Sequence, residues 1–109
     1  MFHMLSCFNL AEGMTLEQFQ AHLASFSSEL YDNGLVHSLG PLGRRQRHPV
    51  MDTDDERDHE MFFIISFESR EQCDQAVAAV FRHQGPLDEA HASILGPVAD
   101  PVFICWEDV

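Results

Sequence analysis

The chain has 109 residues, with 18 aspartates and glutamates against six arginines, no lysine, and a formal net charge of −12. That balance argues against DNA, RNA and anionic membrane surfaces as partners, since each needs a basic stripe to displace counterions. At this length, and with 45% hydrophobic residues, residues 1–109 are expected to form one domain with a real core.

Phe2 to Leu10 alternates as a strand does, with Phe2, Met4, Phe8 and Leu10 on one face and His3, Leu5, Cys7 and Asn9 on the other. The start of the chain has neither the basic region nor the long apolar run of a signal peptide, so no leader is expected. After the turn Ala11 to Met14, Thr15-Leu16-Glu17-Gln18 fits a capping box, and Met14 can staple against Phe19. Leu16, Phe19, Leu23, Phe26 and Leu30 then form a helical stripe, closed by Asn33-Gly34.

Leu35 to Leu39 reads as a short strand, broken by Gly40-Pro41-Leu42-Gly43 and expected to continue as an exposed edge arm over Arg44 to Val50. Asp52 to Glu60 is a dense acidic loop, expected to be mobile. Asp52, Asp54 and Glu56 imitate the start of a calcium loop, but Arg57 stands where glycine is required and no glutamate closes it. No histidine or cysteine spacing suits zinc or iron, so no metal is expected.

Met61 to Phe67 is the most informative segment. Met61, Phe63, Ile65 and Phe67 fill one face of a strand, and Phe62 and Ile64 the other, so both faces favour burial. At five residues, the run Met61 to Ile65 is far too short to span a membrane. Ser69 caps a second helix with the apolar stripe Cys73, Ala76, Val77, Val80 and Phe81, ended by His83-Gln84-Gly85-Pro86. Leu87 to Leu95 reads as a short helix and Gly96-Pro97 as a turn. Val102 to Trp106 is the last strand, with Val102, Ile104 and Trp106 on one face and Phe103 and Cys105 on the other.

The order β-α-β-β-α-β, with right-handed crossovers, gives an α+β ferredoxin-like fold: a four-stranded antiparallel sheet with two helices on one face. The helices cover that face alone. The other would expose an apolar patch above the ~400 Å² that soluble monomers tolerate, and one sheet face can supply the roughly 800 Å² of a standard interface. Homodimerisation through that face is therefore expected. RNA-recognition modules and metallochaperones share this topology, but the first wants basic residues and glycine where Glu60 and Met61 stand, and the second a CxxC within Asn9 to Met14. The odd set Cys7, Cys73 and Cys105, without a CxxC, suggests buried thiols in a reduced cytoplasmic protein.

Several residues are candidates for a small-molecule site. His37, between Leu35 and Leu39, would point with them into a pocket as a base. His3 shares a face with Leu5 and Cys7, and Trp106 carries an indole N–H that wants a partner. Arg45, in the only basic cluster, could grip an anionic ligand or pair with the acidic loop that follows.

The element order, the apolar third strand running through Phe67-Glu68-Ser69 into a helix, and the Gly85-Pro86 exit before a short helix resemble the dimeric α+β barrel proteins. That group includes stress-responsive barrel domains and antibiotic-biosynthesis-type monooxygenases, and the resemblance covers nearly the whole chain. It implies two sheets associated into a barrel and a cleft between sheet and helices in each subunit. Some members oxygenate substrates there without a bound cofactor, some degrade haem, and some have no known reaction. Haem-degrading members share an Asn on the first strand, a Trp on the third and a His on the next helix. Asn9 and His83 match the first and last, but no Trp occurs in the third strand here. The resemblance thus implies a cofactor-free homodimer binding a small, partly apolar molecule in the sheet–helix cleft. The alternatives are a monooxygenase or isomerase, with Asn9 as polariser and His37 or His83 as base, and a structural or regulatory dimer without a ligand.

Overall fold

The computed structural model describes residues 1–81 and 85–109. Its elements run β1 (Phe2–Leu10), α1 (Leu16–Asp32), β2 (Ser38–Leu39), β3 (Gly43–Arg44), β4 (Met61–Phe67), α2 (Arg70–Val80), α3 (Pro86–Leu95) and β5 (Val98–Glu107). The antiparallel sheet is ordered β2-β4-β1-β5, with β3 also on β4. It is the ferredoxin-like arrangement, with the edge strand in two pieces. Gly40 donates to the Ile64 carbonyl at 2.7 Å before Pro41, which has no N–H, interrupts the ladder. Pairing resumes at Gly43 opposite Phe62. The expected strand over Leu35–Leu39 is shorter because Leu35 still bonds back to the Leu30 carbonyl of α1.

Helix α1 begins as its capping box requires. Thr15 accepts from the Gln18 N–H, and the Gln18 side chain accepts from the Thr15 N–H, both at 3.1 Å. It ends at Asn33, followed by Gly34 at φ +64°, a left-handed position that disfavours any side chain. Ser69 caps α2 in the same way, while Gln72 reaches one residue further back to the Glu68 N–H. Only Ala76 and Val80 of the expected α2 stripe are buried. Val77 and Phe81 face outwards. All three helices lie on one side of the sheet, and α3 adds Leu87, Ala90 and Ile94 to the core.

Strand β5 starts four residues earlier than the sequence suggests. Cys7 pairs with Val102 and Asn9 with Ala99, so Asp100 and Pro101 together oppose Phe8. This bulge lets Asp100 and Pro101 lie within the strand, and Asp100 adopts φ +54°, a conformation aspartate tolerates.

The space between sheet and helices is filled by Phe8, Phe19, Phe26, Leu30, Met61, Phe63, Ile65 and Phe67. The expected sheet–helix cleft is therefore occupied by the protein's own aromatic side chains. Sheet plus helices make a slab 43 × 40 × 18 Å. The radius of gyration is 14.4 Å, against about 13 Å for a compact chain of this length.

Candidate functional site

The register fixes what shares the sheet face away from the helices. One row reads Phe62, Cys7, Val102; the next Ile64, Leu5, Ile104; the last Ser38, Ser66, His3, Trp106. Each of these three rows meets a different environment.

The first row is covered by residues 45–60. Arg45 leaves the sheet edge with its N–H bonded to the Glu60 carbonyl, and its guanidinium grips Asp52 through two bonds of 2.7 and 2.6 Å. It also donates to the carbonyls of Arg57 and Asp54. Arg47 donates to the same two carbonyls, so the acidic loop is organised around this pair of arginines rather than left loose. The donors of Arg45 are thus engaged by the loop that follows it. The hydrogen bond from Arg45 holds the Asp52 carboxyl below its ordinary value of 3.8 and in turn raises the arginine. Cys7 is only 2% exposed although it lies on this face. Burial pushes its thiol up, against the pull of Arg57 and Arg45. Between the loop and Phe62 lies a cavity of about 520 Å³, lined also by His48, Met51 and Asp54. His59 pins the end of the loop, its Nε2–H donating to the Asp100 carbonyl of the β5 bulge at 2.6 Å.

Because the folded Asp52 pKa is depressed, the clamp contributes stability above the carboxyl's unfolded value, and this is lost as pH falls through the folded value. The Arg45 Nε–H resonance is expected to hold its position from pH 8 to 5 and to move below about pH 4. In Arg45→Ala, modification of Cys7 by a thiol reagent, mapped by mass spectrometry, is expected to accelerate by about tenfold at neutral pH as the cover opens. An unchanged Cys7 rate would show that the clamp does not hold the loop down.

The second row is apolar and open. Ile64 is 37% and Ile104 44% exposed in the single chain. The third row is polar and organised about His3. The Asp108 carboxylate can only accept, so it takes the Nε2–H of His3 at 2.9 Å, which leaves Nδ1 to accept from the Ser66 hydroxyl at 2.8 Å. The Trp106 indole stacks on the imidazole with centroids 5.1 Å apart. The bond from His3, with the charge of the amino terminus, holds the Asp108 carboxyl below its ordinary value.

Two sequence candidates, His3 and Trp106, therefore come together, and the structure adds Ser66 and Asp108. The side chains of the other described candidates do not join this cluster. Asn9 sits at the opposite end of β1, six residues or roughly 20 Å from His3, where its Oδ1 accepts from the Glu60 N–H. His37 does not point with Leu35 and Leu39. Its N–H already bonds the Ser66 carbonyl of β4 at 2.9 Å, but the regular strand begins only at Ser38, and Val36 takes the buried position. The His37 ring is half exposed, 3.9 Å from Glu68. Asn9 and His37 thus sit at opposite ends of the sheet and do not converge, and His83 lies outside the described residues. Of the three thiols only Cys7 is buried; Cys105 is exposed. Among the described residues no cluster of three metal-binding side chains forms, and no helix is long and apolar enough to cross a membrane.

No family model matches the chain, and no curated protein does. Solved structures match it along its whole length. A protein of Arabidopsis thaliana, 12% identical, superposes with a TM-score of 0.77 over 100% of this chain and 96% of its own. A dimeric ferredoxin-like protein of unknown function from Jannaschia sp. CCS1, 9% identical, gives 0.67 over 98% of both chains. A hydroxynitrile lyase from Passiflora edulis, 11% identical, gives 0.67 over 96% of this chain and 90% of its own. At these identities the likeness is one of fold, and the fold is that of the dimeric ferredoxin-like proteins.

Proposed function

We propose that this chain, folded as the dimeric ferredoxin-like proteins are, is a homodimer paired through its open sheet faces that holds a small, partly apolar molecule at the His3–Trp106 end of that face. The observation that carries this reading is the uncovered row Ile64, Leu5, Ile104 bordered by the polar row Ser66, His3, Trp106. The first supplies a dry centre and the second a polar rim, the usual anatomy of an interface. An 18 Å slab with helices on one side is half of such an assembly. The ligand is assigned to the open face because aromatic side chains fill the space between sheet and helices. A reduced, cytoplasmic setting is part of the proposal, supported by three unpaired cysteines.

A second reading is an enzyme that works without a cofactor, an isomerase, monooxygenase or lyase, with His3 as the base. It is favoured by the imidazole held between a carboxylate and a hydroxyl and by the hydroxynitrile lyase among the fold neighbours.

Trp106 is the only tryptophan, so its fluorescence reports on this end of the sheet alone. Titration with benzaldehyde and benzyl alcohol is expected to quench it saturably. In His3→Ala the apparent Kd is expected to rise by about tenfold, the equivalent of one lost hydrogen bond. No saturable quenching, or quenching indifferent to His3, would remove the ligand from this site.

A further inference from the structure

We propose that Ser66, His3 and Asp108 form a nucleophilic triad that cleaves small apolar carboxylic esters, with Ser66 Oγ as the attacking atom. The proposal rests on the reading that a small molecule binds at this end of the sheet, and assigns that molecule's class.

The three side chains come from β4, from β1 and from beyond the end of β5. Nothing local brings them together: the bonded partners are 63 and 105 residues apart. A triad needs a hydroxyl whose proton faces an imidazole lone pair, and a carboxylate on the other nitrogen to fix the tautomer and support the imidazolium. Both contacts are present, at 2.8 and 2.9 Å. The ring nitrogens exchange the roles they have in the serine-protease template, but either can carry the proton, so the chemistry is unchanged. The stacked Trp106 indole adds a favourable surface for the charged ring. Ser38 stands directly opposite Ser66 on β2, with Cβ atoms about 5 Å apart, and its hydroxyl can donate to the oxygen of a tetrahedral intermediate. The Trp106 indole, partly exposed beside His3, offers apolar surface for the acyl group.

The step is a simple acyl transfer. Ser66 Oγ forms a bond to the ester carbonyl carbon while its proton passes to His3 Nδ1. The intermediate collapses, the C–O bond to the alcohol breaks, and the alkoxide takes the proton from His3. Water, deprotonated by the same nitrogen, then attacks the acyl-serine, releases the carboxylic acid and returns the proton to Ser66.

The test uses the full chain and two probes, diisopropyl fluorophosphate and p-nitrophenyl butyrate. The first is expected to add one diisopropylphosphoryl group, located on Ser66 by peptide mass mapping, with loss of fluoride. The second is expected to give a burst of up to one equivalent of p-nitrophenolate per chain. Ser66→Ala should abolish both, and His3→Ala should slow labelling by about 10³-fold. Asp108→Asn, a near-isosteric change close to the end of the chain, should slow it by about tenfold or more without disturbing the core. Labelling elsewhere, no labelling, or equal rates in wild type, His3→Ala and Asp108→Asn would overturn the triad. If Trp106 quenching by benzaldehyde persists in that case, the triad fails while the binding site stands; if both fail, the site itself is wrong.

Discussion

Ile104→Asp is expected to leave the fold intact and abolish the dimer. Ile104 lies at the centre of the open face, beside Leu5 and in the row that ends at Ile64. Its side chain makes no contribution to the buried core under the helices, so circular dichroism should be unchanged. In a twofold interface each substitution occurs twice. A carboxylate forced against apolar surface without a partner costs several kcal/mol, so two of them weaken association by about 10³-fold or more. A variant that kept the dimer mass at micromolar concentration would move the interface away from this row.

Phe8→Ala carries the largest expected cost in stability. Phe8 is 2% exposed and touches Phe19 and Phe63, with ring centroids at 5.1 and 5.9 Å. Truncating a phenylalanine so placed removes its burial and leaves a cavity, together about 3–5 kcal/mol. That is a large part of the roughly 5–15 kcal/mol that holds a typical domain folded. Phe81→Ala is the control. It lies on the other apolar stripe in the sequence but is 61% exposed, with its ring edge-on to His91, and should cost no more than about 1 kcal/mol. Urea unfolding at one fixed protein concentration separates the two, because a dimer would make apparent stability depend on concentration. Equal losses would mean that the core is not centred on Phe8.

Much of the fold is legible in the sequence because it is written locally. Thr15 and Gln18 mark the start of α1 through bonds spanning three residues, and period-two alternation gives β1 and β4 their correct inward faces. Where a long-range partner decides, local patterns fail. The β5 bulge at Asp100 exists only relative to Phe8 on β1, so the strand reads from Val102 alone when it begins at Val98. His37 looks like a strand residue because the two leucines around it alternate, yet the regular strand begins only at Ser38 and Val36 takes the inward position.

The same limit governs the site. His3 and Trp106 are conspicuous as residue types and can be singled out one at a time. Ser66 is a lone hydroxyl in an apolar strand and Asp108 an acidic residue near the chain's end; only the pairing His3↔Ser66 and His3↔Trp106 makes them neighbours. Period two alone puts Ser66 on the face of Phe62 and Ile64, and that is the signal from which it could have been found. Arg45 reads in the sequence both as a ligand contact and as a partner of the carboxylates after it; in the fold it bonds Asp52.

The most direct test is the molar mass of the unmodified protein by light scattering across a micromolar dilution series. Pairing of the open faces requires twice the chain mass of 12.4 kDa. A well-folded species of 12.4 kDa that persists at tens of micromolar, with Ile64, Leu5 and Ile104 left in water, would contradict it.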